Sequence, residues 1–444
     1  MDEPLINTLD FILVPFFFMA LLAIVIFYKK KYSHNILVQK YLVKIFLCKV
    51  FGGLLYAFLI YYYWGFGDSA TYFKETLVIK QLVHDGKVGF LDVFLKDYTY
   101  FRENFELRGA VNESGFLVVK VALLLSYLSF NSFLICTMLF ATLSIIGTFK
   151  LFETFVSFAP RWHFIIACFV IFFPSLNIYG SGILKDTLSF CALGLFFYSS
   201  INISRKKTNL ADYLIIPISL YFIIVIKAYI IAAMMIPLIL FISMNMLRRI
   251  QSKFLRILAL PLVLGVFAGI LVLTYQQINE SLGSYAVDKL EKSVSSYQTN
   301  YAALTEDADS NFDIGEIQPT PMGLLKKMPI GFVATLYRPF LWEARKPIML
   351  LSALESLFIL LFTLFVLIKA GPGAFVKQII FNPIVFLCMG YSIIFASLVG
   401  ITSLNFGTLA RYRVPVIPFY LMGLVLILYN TRNKVNKNMA QIEE

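Results

Sequence analysis

The fold class that this sequence predicts is an all-α, polytopic membrane protein, and three observations predict it. Hydrophobic residues make up 59% of the 444 and charged residues only 14%, whereas soluble domains run nearer half apolar and a quarter charged. The apolar residues cluster in runs close to the roughly 20 that a helix needs to cross a bilayer. Basic clusters flank several of those runs in a consistent alternation. No hydrophilic block is large enough for a separate soluble domain, so residues 1–444 read as a single transmembrane domain with a mean hydropathy of +0.79.

Taken in order, the runs predict about eleven spans. They fall near 9–28, 42–63, 131–150, 162–177, 186–202, 210–226, 229–247, 254–275, 347–369, 380–400 and 413–430. The N-terminal "MDEPLINTLDFILVPFFF" lacks the basic region and small-residue cleavage site of a signal peptide, so 9–28 reads as a retained helix. "KKKYSHN", "SRKKTN", "LRRIQSKFLR" and "NTRNKVNK" share one compartment if the N-terminus is periplasmic and the C-terminus cytoplasmic. That agreement orients the chain, because Lys and Arg accumulate in cytoplasmic loops. "GFLVVKVALLLSYLSF" (115–130) is short and carries Lys120. A crossing there would invert every later loop, so it reads as an interfacial or re-entrant helix. Two long loops, about 64–130 and 276–346, then face outward with interfacial helices in them.

The net charge of +12 belongs to cytoplasmic loops and to surfaces facing anionic lipid rather than to nucleic acid binding. Five cysteines without paired spacing and three scattered histidines argue against a disulfide framework or a zinc site. No P-loop, dinucleotide fingerprint, HExxH or CxxC pair occurs. The acidic stretch "TEDADSNFDIGE" (305–316) lacks calcium-loop spacing and reads as solvated loop. No cofactor is expected; a divalent metal is not indicated.

The polar residues with chemical potential collect at the outward junctions. In "YYYWGFGDSATYFKE" (61–75), Gly65 and Gly67 allow a sharp turn before Asp68. Asp68 or Ser69 would cap a helix from about Thr71, or Asp68 would act as a base on an acceptor hydroxyl; the two roles are compatible. In "PSLNIYGSGILKDT" (174–187), Lys185 beside a helix N-terminus suits a phosphate, or pairs with Asp186 among lipid headgroups. Lys227, in "IIVIKAYIIAAMM", faces a cavity or partner, or else snorkels from a hairpin turn. "LYRPFLWEARKP" (336–347) gathers Arg338, Glu343 and Arg345, and two arginines beside a Glu suit pyrophosphate or sugar-phosphate recognition. Glu355 is a candidate partner for one of these cations. "GTLARYRVPVIPFY" (407–420) adds Arg411 and Arg413.

With these pieces in hand, residues of about 42–430 resemble the GT-C superfamily of membrane glycosyltransferases, in particular bacterial members of cell-surface polysaccharide assembly. "GDSATY" resembles the acidic position after the first core helix, "PSLNIYGSGILKDT" the Ser-Gly…Lys-Asp junction, and "ARYRVPVIP" the late Arg-x-Arg-x-Pro element. The helix 9–28 is additional to that pattern, and Asp-Ser-Ala in place of Asp-x-Asp argues against the metal-dependent members.

The resemblance implies an inverting transferase in a bacterial inner membrane. It would move a sugar from a polyprenyl-(di)phosphate donor to a glycan or lipid-linked acceptor on the periplasmic face. Asp68 would be the base. Lys185, Arg338, Arg345, Arg411 and Arg413 would hold the donor phosphate, supported by Asp186, Lys227 and Glu343. Two alternatives stand beside it. One is a Wzy-like polysaccharide polymerase or O-antigen ligase. The other is a lipid-linked sugar transporter or flippase, which would show internal repeats and broken helices. A non-catalytic envelope scaffold is a third class.

Overall fold

The computed structural model describes residues 5–105, 107, 112–247, 310–315 and 321–440. Every regular element among them is a helix, and one isolated antiparallel bridge joins Asn311 to Asn405. Among the described residues seven helices are long and apolar enough to cross a membrane, or eight if Phe406–Tyr412 and Ile417–Arg432 form one bent span. The chain is therefore a multi-pass membrane protein. It divides into two compact units, one running up to Ser157 and including His163–Lys227, the other made of Phe158–Trp162 and the chain from Ala228 onward.

The first unit begins with the N-terminal helix α1 (Thr8–Lys31). Asp10 accepts the Asn7 N–H at 2.8 Å at its start and Lys29, Lys30 and Lys31 end it, so both charge types complement the helix dipole. Asn35 caps α2 (Ile36–Phe58), accepting from the Leu37 and Val38 amides. α2 then widens into a π-helical turn, Leu59–Trp64, a feature frequent at functional sites. Gly65 (φ 71°) and Gly67 (φ 157°) carry the chain out of it through backbone space that favours glycine.

Four helices follow: α3 (Asp68–His84), α4 (Phe90–Leu95), α5 (Tyr98–Asn104) and α6 (Glu113–Leu128). Phe73, Val93, Phe101, Phe116 and Val119 give them a common buried core. The Lys120 ammonium donates to the carbonyls of Phe94 and Lys96 at 3.3 and 2.9 Å, the end of α4 where carbonyls lack helical partners. The charge in the run 115–130 is thus satisfied inside this group of helices. α6 is not among the seven span-length helices.

α7 (Phe133–Val156), α8 (His163–Val170), α9 (Pro174–Ile178) and α10 (Lys185–Ser204) complete the unit with the first part of α11 (Leu210–Leu247). The run 162–177, expected as one span, is not one helix. α8 stops at Val170, and α9 is opened by Pro174, which has no N–H to continue a helix. The expected spans 210–226 and 229–247 both lie in α11, whose single non-helical residue is Lys227 (φ −151°, ψ 73°). The boundary between the units falls there.

Among the described residues, the second unit holds the remainder of α11 together with six further α-helices. These are α12 (Pro321–Tyr337), α13 (Pro347–Ala370), α14 (Pro372–Phe381), α15 (Pro383–Thr402), α16 (Phe406–Tyr412) and α17 (Ile417–Ala440). Proline at the first position starts α13, α14 and α15, where its missing N–H is not needed. The segment 310–315 is pinned to the end of α15. Phe312 N–H donates to Leu404 O at 3.0 Å, and the Phe312 and Phe406 rings stack 4.6 Å apart. The expected span 254–275 and the basic run at 248–256 lie outside the described residues. So does half of the acidic stretch, 305–309 and 316; in the described half Asp313 accepts the Gly315 N–H at 2.7 Å.

Candidate functional site

α3 starts at Asp68, and Gly67 occupies the N-cap position that Asp68 or Ser69 was expected to fill. The Gly67 carbonyl makes the first bond of the helix, accepting from Thr71 N–H at 3.1 Å and from Thr71 Oγ1 at 3.2 Å. Asp68 is exposed in the first turn, where the helix dipole favours a carboxylate. Next to it, the Ser69 hydroxyl is buried with no hydrogen-bond partner among the described residues.

Lys185 opens α10. Its ammonium donates to Asn112 Oδ1 at 2.8 Å, the same oxygen that caps α6 by accepting the Gly115 N–H at 3.0 Å. It also lies 5.9 Å from the centroid of the Tyr72 ring. Tyr72 follows Asp68 by one helical turn, so the two share a side of α3. Ala70 packs against Ile178 and Leu184 in the same place. The leading acid and the leading cation of the sequence therefore occupy one neighbourhood in the first unit. Ser181, in the turn that delivers Lys185, carries a second buried hydroxyl with no partner among the described residues.

Asp186 pairs with Lys227, not with Lys185, and Lys227 does not snorkel. The two side chains are 0% and 6% exposed and form an ion pair. A buried ammonium without a counter-charge is costly, and the first turn of α10 is where a carboxylate gains from the dipole. The pair holds the one point at which α11 leaves helical geometry.

In the second unit, Arg413 is fully buried. It donates to Glu355 Oε2 at 3.1 Å, to Ser356 Oγ at 2.6 Å and to Ser352 Oγ at 3.0 Å. Arg338 donates from Nε to both Glu343 oxygens at 3.0 and 3.1 Å, and its guanidinium lies over the Phe312 and Phe406 rings at 4.7 and 5.3 Å. Burial pushes the Glu343 carboxyl up, but the hydrogen bond from Arg338, the Phe340 N–H and the Arg338 charge outweigh it. The net result is below the usual carboxylate range. A donor phosphate at Arg338 or Arg413 would have to compete with a carboxylate already in place. Arg345 is exposed and Arg411 half-buried. Asp68, Lys185, Asp186 and Lys227 belong to the first unit; Arg338, Glu343, Arg345, Arg411 and Arg413 belong to the second.

Among the described residues, four buried charges escape a reading of the sequence by motifs: Asp10, Lys49, Glu75 and Asp212. Asp212 (1% exposed) accepts from Ser199 Oγ at 2.9 Å and from the Asn209 N–H at 3.1 Å. Lys49 is fully buried in α2. The signal for Lys49 was available: a lone lysine in the apolar run "FLCKVFGGLLY" is an intramembrane charge, which is a candidate site by default. Comparison with protein-family models, with curated proteins and with solved structures found no match.

Proposed function

We propose that the protein is a membrane glycosyltransferase that uses a polyprenyl-(di)phosphate-linked sugar as donor, with its reaction centre at the α2–α3 junction. One observation carries this reading: Lys185 lies over Tyr72, one turn from Asp68. It brings a carboxylate and an ammonium together where an apolar helix ends in exposed aromatics, Tyr62, Tyr63 and Phe66. A lipid-linked donor needs that combination, because its tail stays in the bilayer while its sugar-phosphate reaches water. The acceptor oxygen attacks the anomeric carbon as Asp68 takes the hydroxyl proton. The bond from that carbon to the phosphate oxygen breaks, and the phosphate leaves on its lipid beside Lys185, inverting the anomeric centre. One base suffices when the leaving group is already a phosphate. The helices α3–α6 would lie at the periplasmic face of a bacterial inner membrane, with interfacial α6.

Asp68→Asn tests the proposal. Purified protein in proteoliposomes is supplied with radiolabelled polyprenyl-phosphate and polyprenyl-diphosphate sugars and oligosaccharide acceptors. The variant is expected to lose at least about a hundredfold in transfer, the contribution of a positioned base. Its thermal unfolding should change little, because a first-turn carboxylate contributes only about 0.3–1 kcal/mol through the dipole. Wild-type transfer by Asp68→Asn would remove the base from this position.

A second reading is favoured by a different observation. α11 breaks at a buried, paired Lys227, and α9 is a five-residue helix between breaks. Broken helices are a mark of transporters. Movement of a fluorescent lipid-linked sugar between leaflets, without transfer to any acceptor, would identify a flippase.

A further inference from the structure

Lys49 has no role in either reading, yet it is a charge with 0% exposure within the 29-residue span-length helix Ile36–Trp64. Its Nζ donates to the carbonyl oxygens of Leu176 and Gly180, each at 3.0 Å. The Phe190 ring centroid is 5.5 Å away. None of the ion pairs among the described residues includes it. Both carbonyls belong to the C-terminal end of α9 and the turn after it, where helix carbonyls lack partners and the dipole is negative.

α2 is shaped to reach that end. A Cβ at Gly52 would lie 2.4 Å from Asn177 O, and one at Gly53 would lie 3.0 Å from Ser181 O. The Asn177 amide nitrogen donates to Ile171 O and Phe173 O at 2.8 and 3.0 Å. Its Oδ1 is buried without a partner among the described residues. Non-helical backbone at membrane depth has to be satisfied from within the protein. Backbone carbonyls at the end of a broken helix, joined by an aromatic face, are the donors with which membrane proteins hold monovalent cations.

We propose that the carbonyl end of α9 is a monovalent-cation site whose occupant is the tethered ammonium of Lys49. When that side chain is cut back, the site takes a small free cation instead: ammonium, methylammonium or potassium. The inference does not rest on glycosyl transfer. It makes Lys49 a positioning residue for the turn that ends in Lys185 and Asp186.

Two variants test it: Lys49→Ala, which leaves room for a cation, and Lys49→Met, which keeps length but not charge. Thermal unfolding in detergent is followed at fixed ionic strength in choline chloride, then in ammonium, methylammonium and potassium chloride. Both variants should unfold below wild type in choline. Lys49→Ala should regain several degrees in at least one small cation, since binding to the folded state alone stabilises it. Wild type and Lys49→Met should not respond. Wild-type unfolding of either variant in choline overturns the proposal, as does a Lys49→Ala loss that no small cation restores. If Lys49→Ala yields no folded protein, Lys49→Arg decides. A folded Arg variant beside an unstable Met variant supports the tethered cation, and an Arg variant as unstable as Met overturns it.

Discussion

Arg413 donates to a carboxylate, two serine hydroxyls and two backbone carbonyls from a site without solvent. Removing one member of such a pair leaves the other charge buried alone, at a cost of about 3–5 kcal/mol. Arg413→Ala is therefore expected to lower the unfolding midpoint sharply, and a Glu355→Leu/Arg413→Leu double variant to lose less than the two single changes together. Denaturant unfolding in detergent measures both; an Arg413→Ala variant as stable as wild type would sink the pairing. Arg413→Lys should rescue little, because a point charge cannot span the partners of a planar fork. Glu343 has a pH signature instead. Its carboxyl is held below the usual range in the folded state, so its contribution is present above the unfolded value of about 4.3 and fades as pH falls through the folded one. The stability deficit of Glu343→Gln should be visible at pH 7 and close in acid. A gap that stays constant down to about pH 3 would contradict this sign.

At the scale of elements, glycine decides which helices touch. α7 and α10 cross where a Cβ at Gly147 would lie 2.1 Å from Cys191 O, and one at Gly194 would lie 2.2 Å from Gly147 O. α12 and α15 repeat the device: a Cβ at Gly400 would lie 2.0 Å from Gly331 O. Close backbone approach through small residues is a main source of helix affinity in lipid. Gly147→Ala should cost about 1–3 kcal/mol through overpacking. Gly373→Ala is the control, since nothing lies within 4 Å of its Cβ and α14 should gain about 0.5–1 kcal/mol. Equal thermal shifts in the two variants would mean that the crossing, not helix propensity, has been misjudged.

Across the whole molecule, a reaction at the membrane surface requires the two long loops to share one side. The basic clusters predict that residues 64–130 and 276–346 share one non-cytoplasmic compartment. Lys87 and Asp313 are exposed positions in those two stretches. Lys87→Cys and Asp313→Cys should both react with a membrane-impermeant thiol reagent in intact spheroplasts, above the background of the five native cysteines, none of which is exposed. Labelling of only one of them would separate the two loops and invert part of the chain.

The sequence by itself determined the membrane class, the first helix, the glycine-driven turn before Asp68 and the presence of a polar junction at 174–187. Each is a local property: hydropathy over one helix length, or the backbone freedom of one or two residues. It also required a cation for Glu355, an intramembrane carboxylate, and sought it among those of 336–347, whereas the structure pairs Glu355 with Arg413. Only the tertiary structure decided which cation that was. It likewise gave Asp186 to Lys227, 41 residues away, and set Lys49 on carbonyls 127 and 131 residues along the chain. The break before Pro174 was illegible for the same reason, whereas the interruption at Lys227 was expected between the runs 210–226 and 229–247, as a hairpin turn rather than a kink within α11. An apolar run reads as one helix or two until a buried charge, satisfied by a distant segment, stabilises the interruption. Hydropathy is summed along the chain, whereas the cost of a buried charge is settled by whatever folds against it.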